Sequence, residues 1–187
     1  MKNLIRRKSN RLKNFDYSQN GYYFVTICIN DREEFFGKIK NGEMILNDYG
    51  KIVENQWLWL SNQYEYIMLD KFVVMPNHMH GILVIDRGRD RSRPVPTVGM
   101  VIIKPLSQLI GAFKTTSSKI IHQNGLENFA WQRSFYDHVI RNEKSLFHIR
   151  EYIRNNPIKW DIEKDRNHMV NADLKTPFVV NKNESIN

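Results

Sequence analysis

Phe72-Val-Val-Met-Pro-Asn-His-Met-His-Gly-Ile-Leu-Val-Ile85 is the stretch that decides how this chain folds. Its residues are β-branched or apolar on both sides of Pro76-Asn77, so its second half reads as a buried strand entered through a short turn. His78 and His80 are two apart on that strand and therefore project from one face, separated by roughly 6 to 7 Å at the backbone. Two imidazoles on a rigid element can converge on one divalent ion, which then needs a third ligand. A lone His-x-His is also what two ordinary histidines look like, so the rest of the chain has to decide.

Working outward, residues 21–29 are aromatic and β-branched, as in a central strand. Residues 35–40 and 43–46 flank Asn41-Gly42, a hairpin signal. Asn47 or Asp48 caps a helix through about Leu60, with Ile52, Val53, Trp57 and Leu60 as its apolar stripe. Residues 66–75 read as the strand before the histidine strand, and the charged, proline-bearing segment Asp86-Arg-Gly-Arg-Asp-Arg-Ser-Arg-Pro-Val-Pro96 reads as a loop. A second helix spans about 105–122, where Leu106, Leu109, Ile110, Phe113, Ile120 and Ile121 recur near helical spacing. Asn142 caps a third helix from Glu143 to about Asn156, which Pro157 helps to end. The expected class is α+β, an antiparallel sheet with helices packed on one side. The tail from Asp161 onward is polar, with Pro177-Phe-Val-Val180 as its apolar cluster.

Two later blocks give the histidines company. Trp131-Gln-Arg-Ser-Phe-Tyr-Asp-His-Val-Ile-Arg-Asn142 is followed, on the third helix, by Glu151-Tyr-Ile-Arg-Asn-Asn-Pro157. Tyr152 and Asn156 are four apart and so lie on one helix face, where a phenol and a carboxamide can be presented together to a metal-bound phosphate. His148, one turn before Tyr152, shares roughly that face and competes for a ligand role. Tyr152 as a core tyrosine and Asn156 as a capping residue are the plain structural alternatives.

With histidines flanking a hydrophobic residue and a lone tyrosine on a later helix, the chain resembles the HUH single-tyrosine transposases. Within them, Arg7-Lys-Ser-Asn-Arg-Leu-Lys-Asn-Phe-Asp-Tyr17, the Met-Pro-Asn-His-Met-His-Gly block and the Trp-Gln-Arg through Asn-Asn-Pro block are similar to the REP-associated tyrosine transposases, over residues 6–160. The resemblance implies a ferredoxin-like, RRM-like sheet with the histidine pair on a central strand and the tyrosine helix beside it. It implies Tyr152 as the nucleophile, and His78, His80 and Asn156 (alternatively His148) around Mg²⁺ or Mn²⁺. The implied activity is that of a metal-dependent endonuclease and strand transferase on single-stranded, hairpin-bearing DNA, through a 5′-phosphotyrosine intermediate. The implied organisation is a basic arm at 1–20, a transposase domain at 21–160 and a polar extension at 161–187. A non-catalytic hairpin-binding module of the same fold is the competing reading. A nucleobase deaminase is disfavoured, because the chain lacks the His-x-Glu and Pro-Cys-x-x-Cys elements of that chemistry.

Composition points the same way. The 187 residues carry a formal net charge of +8, and Lys2, Arg6, Arg7, Lys8, Arg11 and Lys13 all precede the first acidic residue, Asp16. Such an arm suits a phosphate backbone. Further candidate DNA contacts are Lys114, Trp131, Arg133, His138 and Arg141, and Arg87, Arg89, Arg91 and Arg93 form a second cluster diluted by Asp86 and Asp90. Cys28 is the single cysteine, which excludes an intrachain disulfide and a cysteine-based zinc site. No run approaches the roughly 18 apolar residues of a membrane span, so a cytoplasmic, nucleoid-associated protein is expected, with a homodimer compatible with one covalent link per chain.

Overall fold

The structure is a computed structural model that describes residues 12–88 and 102–173, with side chains described as far as residue 164. The chain runs through β1 (Gly21–Cys28), the hairpin β2 (Gly37–Lys40) and β3 (Glu43–Leu46), then α1 (Asp48–Gln63), β4 (Ile67–Met75), β5 (His78–Ile85), α2 (Leu106–Gln123), β6 (Tyr136–Ile140) and α3 (Glu143–Asp173). Arg6, Arg7, Lys8, Arg11, Arg89, Arg91, Arg93 and the Pro177 cluster lie outside the described residues. No described helix is long and apolar enough to cross a membrane.

Four strands form one sheet in the order β4-β5-β1-β6, every pair antiparallel. With the β2–β3 hairpin set aside as an insertion after β1, the order of elements is βαββαβ with the first and third strands central, the ferredoxin-like arrangement. The hairpin closes through Asn41 and Gly42, both at positive φ (55° and 74°), as a tight two-residue connection requires. Asn47 caps α1 by accepting from the Gly50 amide at 3.0 Å, and Asn142 caps α3 by accepting from the Ser145 amide at 2.8 Å.

The helices do not all lie on one side, contrary to the expectation from sequence. Tyr23, Val25 and Ile27 of β1, with Met79, Leu83 and Ile85 of β5, pack in one cluster with Val53, Trp57 and Leu60 of α1 and Leu109, Ile110 and Phe113 of α2. Phe24, Ile82, Val84 and Ile140 belong to a second cluster with Leu146 and Ile153 of α3. The physical reason is that the central strands are apolar on both faces, so a single layer of helices would leave one face wet. α3 therefore covers the face that carries residues 78, 80, 82 and 84. On the opposite face Gly81 admits the Trp57 indole: a Cβ there would stand 2.6 Å from Trp57 Cζ2.

Pro157 does not end α3, which continues to Asp173 and past the predicted start of the tail. The proline removes one ladder donor, but tertiary contacts hold the continuation. The Gly42 amide donates to Asp161 Oδ2 at 2.8 Å, and Lys164 pairs with Glu34 at 3.3 Å. β6 is not legible as a strand in the sequence, because its five residues alternate poorly between polar and apolar. Register shift at residues 69–72 of β4 makes a bulge at Asp70-Lys71 opposite Ile82. From that bulge the Asp70 carboxylate meets the Arg150 guanidinium of α3.

Candidate active site

His78 opens β5 and His80 follows on the same face, in register with Cys28 and Thr26 of β1. Their Nε2 atoms stand 3.0 Å apart. Each ring is held from behind. The Asn77 Nδ2 group donates to the Arg32 carbonyl at 3.0 Å, which turns its Oδ1 toward His78 Nδ1 at 2.7 Å. His78 Nδ1 is then the donor, and its Nε2 carries the lone pair. His80 Nδ1 lies 2.8 Å from Thr26 Oγ1. Burial, with the Arg32 charge adding to it, lowers the His78 pKa to about 4. Burial, with His78 beside it, lowers that of His80 to about 3. Both rings are neutral near pH 7, the state in which imidazole ligates metals.

α3 supplies the facing groups. Tyr152 is 40% exposed, and its Oη lies 3.3 Å from His80 Nε2. Its ring meets His80 at 5.1 Å between centroids and Phe24 edge-on at 6.0 Å, and Phe24 in turn stacks on His80 at 5.6 Å. Eight residues on, Trp160 lies 5.6 Å from the His78 ring. Residues 152, 156 and 160 share one helix face, and its two ends touch His80 and His78. Asn156, 8% exposed, lies between them on that face.

The donor set fits a divalent cation. Two neutral imidazoles present their Nε2 atoms side by side, 3.0 Å apart, the donor type and convergence that a divalent ion takes. No group of three His, Cys, Asp or Glu side chains able to hold a metal occurs among the described residues. Asn156 offers an amide oxygen on the helix face that meets the pair. His148 is exposed on α3. It lines a cleft of about 560 Å³ beside Tyr152, together with Phe24, Tyr136, His138, Asn142, Lys144, Ser145 and Ile149.

The other sequence candidates are spread more widely. His138 pairs with Phe24 across β6 and β1 and opens into the cleft beside Tyr152. Arg141 lines an adjoining hollow with Tyr17, Tyr136 and His138. Lys13 is exposed. Lys114, Trp131 and Arg133 instead line a shallow basin along α2, the helix of the opposite layer. Trp131 packs into the core against Phe36, Phe113 and Phe129, and its indole N–H donates to Ser117 at 3.0 Å. Lys114 donates to the Gln132 and Ser134 carbonyls at 2.8 and 3.1 Å, and burial lowers its pKa to about 8.

Thr26, Asn77, Phe24, Lys159 and Trp160 are not marked by the sequence motifs. Trp160 carries a findable signal: it lies one turn beyond Asn156 and so shares a face with a residue already marked.

No family model matches the chain. An uncharacterized protein of Haemophilus influenzae is 37% identical over 164 residues, spanning 83% of this chain and 90% of that protein. A putative REP-associated tyrosine transposase of the same organism is 23% identical over 145 residues, 77% of this chain and 74% of that protein. The REP-associated tyrosine transposase of Escherichia coli K12 is 30% identical over 91 residues, 49% of this chain and 44% of that protein. Among solved structures, a REP-associated tyrosine transposase bound to a REP hairpin matches with a TM-score of 0.55 at 22% identity, over 81% of this chain and 73% of that one. At that identity the likeness is one of fold.

Proposed function

This chain is a homologue of the REP-associated tyrosine transposases, and on that premise we propose that it is a transposase-type enzyme of the HUH class. It cuts single-stranded DNA at or near a hairpin, and Tyr152 becomes esterified to the 5′-phosphate. The observation that carries this reading is the meeting of three groups from two elements: His80 Nε2 is 3.0 Å from His78 Nε2 and 3.3 Å from Tyr152 Oη. A binding module of the same fold has no use for a half-exposed phenol held against a buried, neutral imidazole that is itself paired with a second, half-buried one. Hairpin DNA as substrate draws support from a protein of the same fold having been solved on a REP hairpin.

His78, His80 and Asn156 would hold Mg²⁺ or Mn²⁺. Such an ion acts as a Lewis acid on the phosphate oxygens and orients the scissile bond. The chain's own residues do the rest. Phe24 and His80 fix the Tyr152 ring so that its oxygen is presented at the histidine face. In the transfer, the bond from Tyr152 Oη to phosphorus forms, the bond from phosphorus to O3′ breaks, and the phenolic proton ends on O3′. One phosphodiester replaces another, so the released 3′-hydroxyl can reverse the step without a nucleotide cofactor.

The test uses end-labelled single-stranded hairpin DNA from the flanks of the protein's own gene, with Mn²⁺, on a denaturing gel. A slow, protease-sensitive covalent band is expected from the natural protein and none from Tyr152→Phe, which removes only a hydroxyl. If the Phe variant still gives the band, Tyr152 is not the nucleophile, and Tyr136 is the next residue to replace.

A further inference from the structure

Lys159 follows Tyr152 by seven residues, two turns of α3, so the two lie on nearly the same face. Long side chains on a helix lean back toward its N-terminus, and Lys159 Nζ ends 5.6 Å from the centre of the Tyr152 ring. The other cations on this part of the helix are occupied. Arg150 holds Asp70, Arg154 holds Glu151 at 2.8 Å, and Lys164 holds Glu34 at 3.3 Å. Lys159 forms no salt bridge with any described residue. The cleft beside Tyr152 contains no carboxylate. An ammonium without an ion-pair partner among the described residues therefore stands over the ring of the nucleophile, beside a cleft lined by no carboxylate.

We propose that Lys159 is a catalytic residue of the reaction inferred above, its ammonium binding a non-bridging oxygen of the scissile phosphate while the Tyr152 oxygen attacks. This assignment rests on the reading of Tyr152 as nucleophile. A phosphodiester carries one negative charge on its non-bridging oxygens, and an attacking phenolic oxygen brings more. A cation fixed beforehand at that point stabilises the transition state more than the ground state. The histidine pair approaches Tyr152 at its hydroxyl end and Lys159 over its ring, so an attacked phosphorus at Oη is approached from two directions. The lysine loses nothing by turning to the phosphate, since no carboxylate has to be released.

The experiment measures single-turnover formation of the covalent band with saturating protein, the same hairpin oligonucleotide and Mn²⁺, for the natural protein, Lys159→Met and Lys159→Arg. A second oligonucleotide carries a methylphosphonate, which is neutral, at the cleaved position. On the ordinary phosphodiester Lys159→Met should be slower by about 100-fold, the loss typical of one preorganised charge-stabilising donor. Lys159→Arg should recover most of that rate. On the methylphosphonate the loss in Lys159→Met should be far smaller, about 10-fold or less, because one of the two negative charges of the transition state is gone. Equal losses on both substrates would assign Lys159 to holding the Tyr152 ring and overturn the proposal, as would an undiminished Met variant. A natural protein that forms no covalent band overturns the transposase reading itself, and this assignment with it.

Discussion

The Arg150 guanidinium grips both oxygens of the Asp70 carboxylate, Nε standing 3.0 and 3.1 Å from them, and so ties α3 to the bulge of β4 two residues before the nucleophile. Burial raises the Asp70 pKa, but hydrogen bonds from Arg150 and from the Lys71 amide outweigh it and hold the carboxyl below its ordinary value. A carboxyl whose folded pKa is the lower one adds stability in full above the unfolded value of about 4, and loses it as pH falls through the folded value. Asp70→Asn should cost about 1–2 kcal/mol at pH 6, between the range of exposed and buried ion pairs. The gap between the two proteins should shrink toward pH 3. Urea unfolding at pH 6, 4 and 3 reads it directly, and a gap that stays constant would remove the pair from the stability of the fold.

Replacing either metal-facing imidazole separates chemistry from binding. His78→Ala and His80→Ala should each abolish Mn²⁺-dependent cleavage of the hairpin while its affinity changes only a few-fold, since affinity for nucleic acid resides mainly in phosphate contacts. Cleavage by these variants at the natural rate in excess chelator would rule out a metal at this site.

Asn156 and His148 make opposite forecasts for the third ligand. Asn156 is buried on the face that touches both histidines, whereas His148 is exposed one turn before Tyr152. Asn156→Ala should raise the Mn²⁺ concentration for half-maximal cleavage by about 10-fold or more, a loss typical around metal sites. His148→Ala should shift it much less. The reverse order in a metal titration would transfer the ligand role to His148.

Gly81 is replaceable only if Trp57 gives way. An added Cβ would lie 2.6 Å from Cζ2 and 3.0 Å from Cε2 of that indole, so Gly81→Ala should cost about 1–3 kcal/mol by overpacking. Thermal unfolding should show a lowered Tm, partly restored in Gly81→Ala/Trp57→Phe. If the double variant is no more stable than Gly81→Ala alone, the strain lies elsewhere.

Local periodicity in the sequence carried much of this. A period of two placed both histidines on one strand face, and polar residues before apolar runs marked the caps at Asn47 and Asn142, which both bond as expected. A period near four put Tyr152 and Asn156 together on a helix. What local pattern could not carry was which face of the sheet each helix takes. That depends on both faces of β1 and β5 needing cover, a property of the assembled sheet. Pro157 misled for a related reason: its helix-ending tendency is local, while Asp161 and Lys164 hold the next turns through residues more than a hundred positions away. Trp131 was open in sequence between stacking on bases and packing in the core, because an aromatic beside basic residues looks the same in either place, and it is 9% exposed.

α3 resembles a beam resting on two unlike supports. On one side of Tyr152 it is fastened by Arg150 to β4 of the main sheet, and on the other by Asp161 to Gly42 at the tip of the inserted hairpin. The second support stands outside the four-stranded frame that carries the histidines. Lengthening or shortening β2 and β3 therefore tilts the beam while leaving its foundation in place, an adjustment screw by which the distance between nucleophile and imidazoles can be reset without replacing any residue of the site.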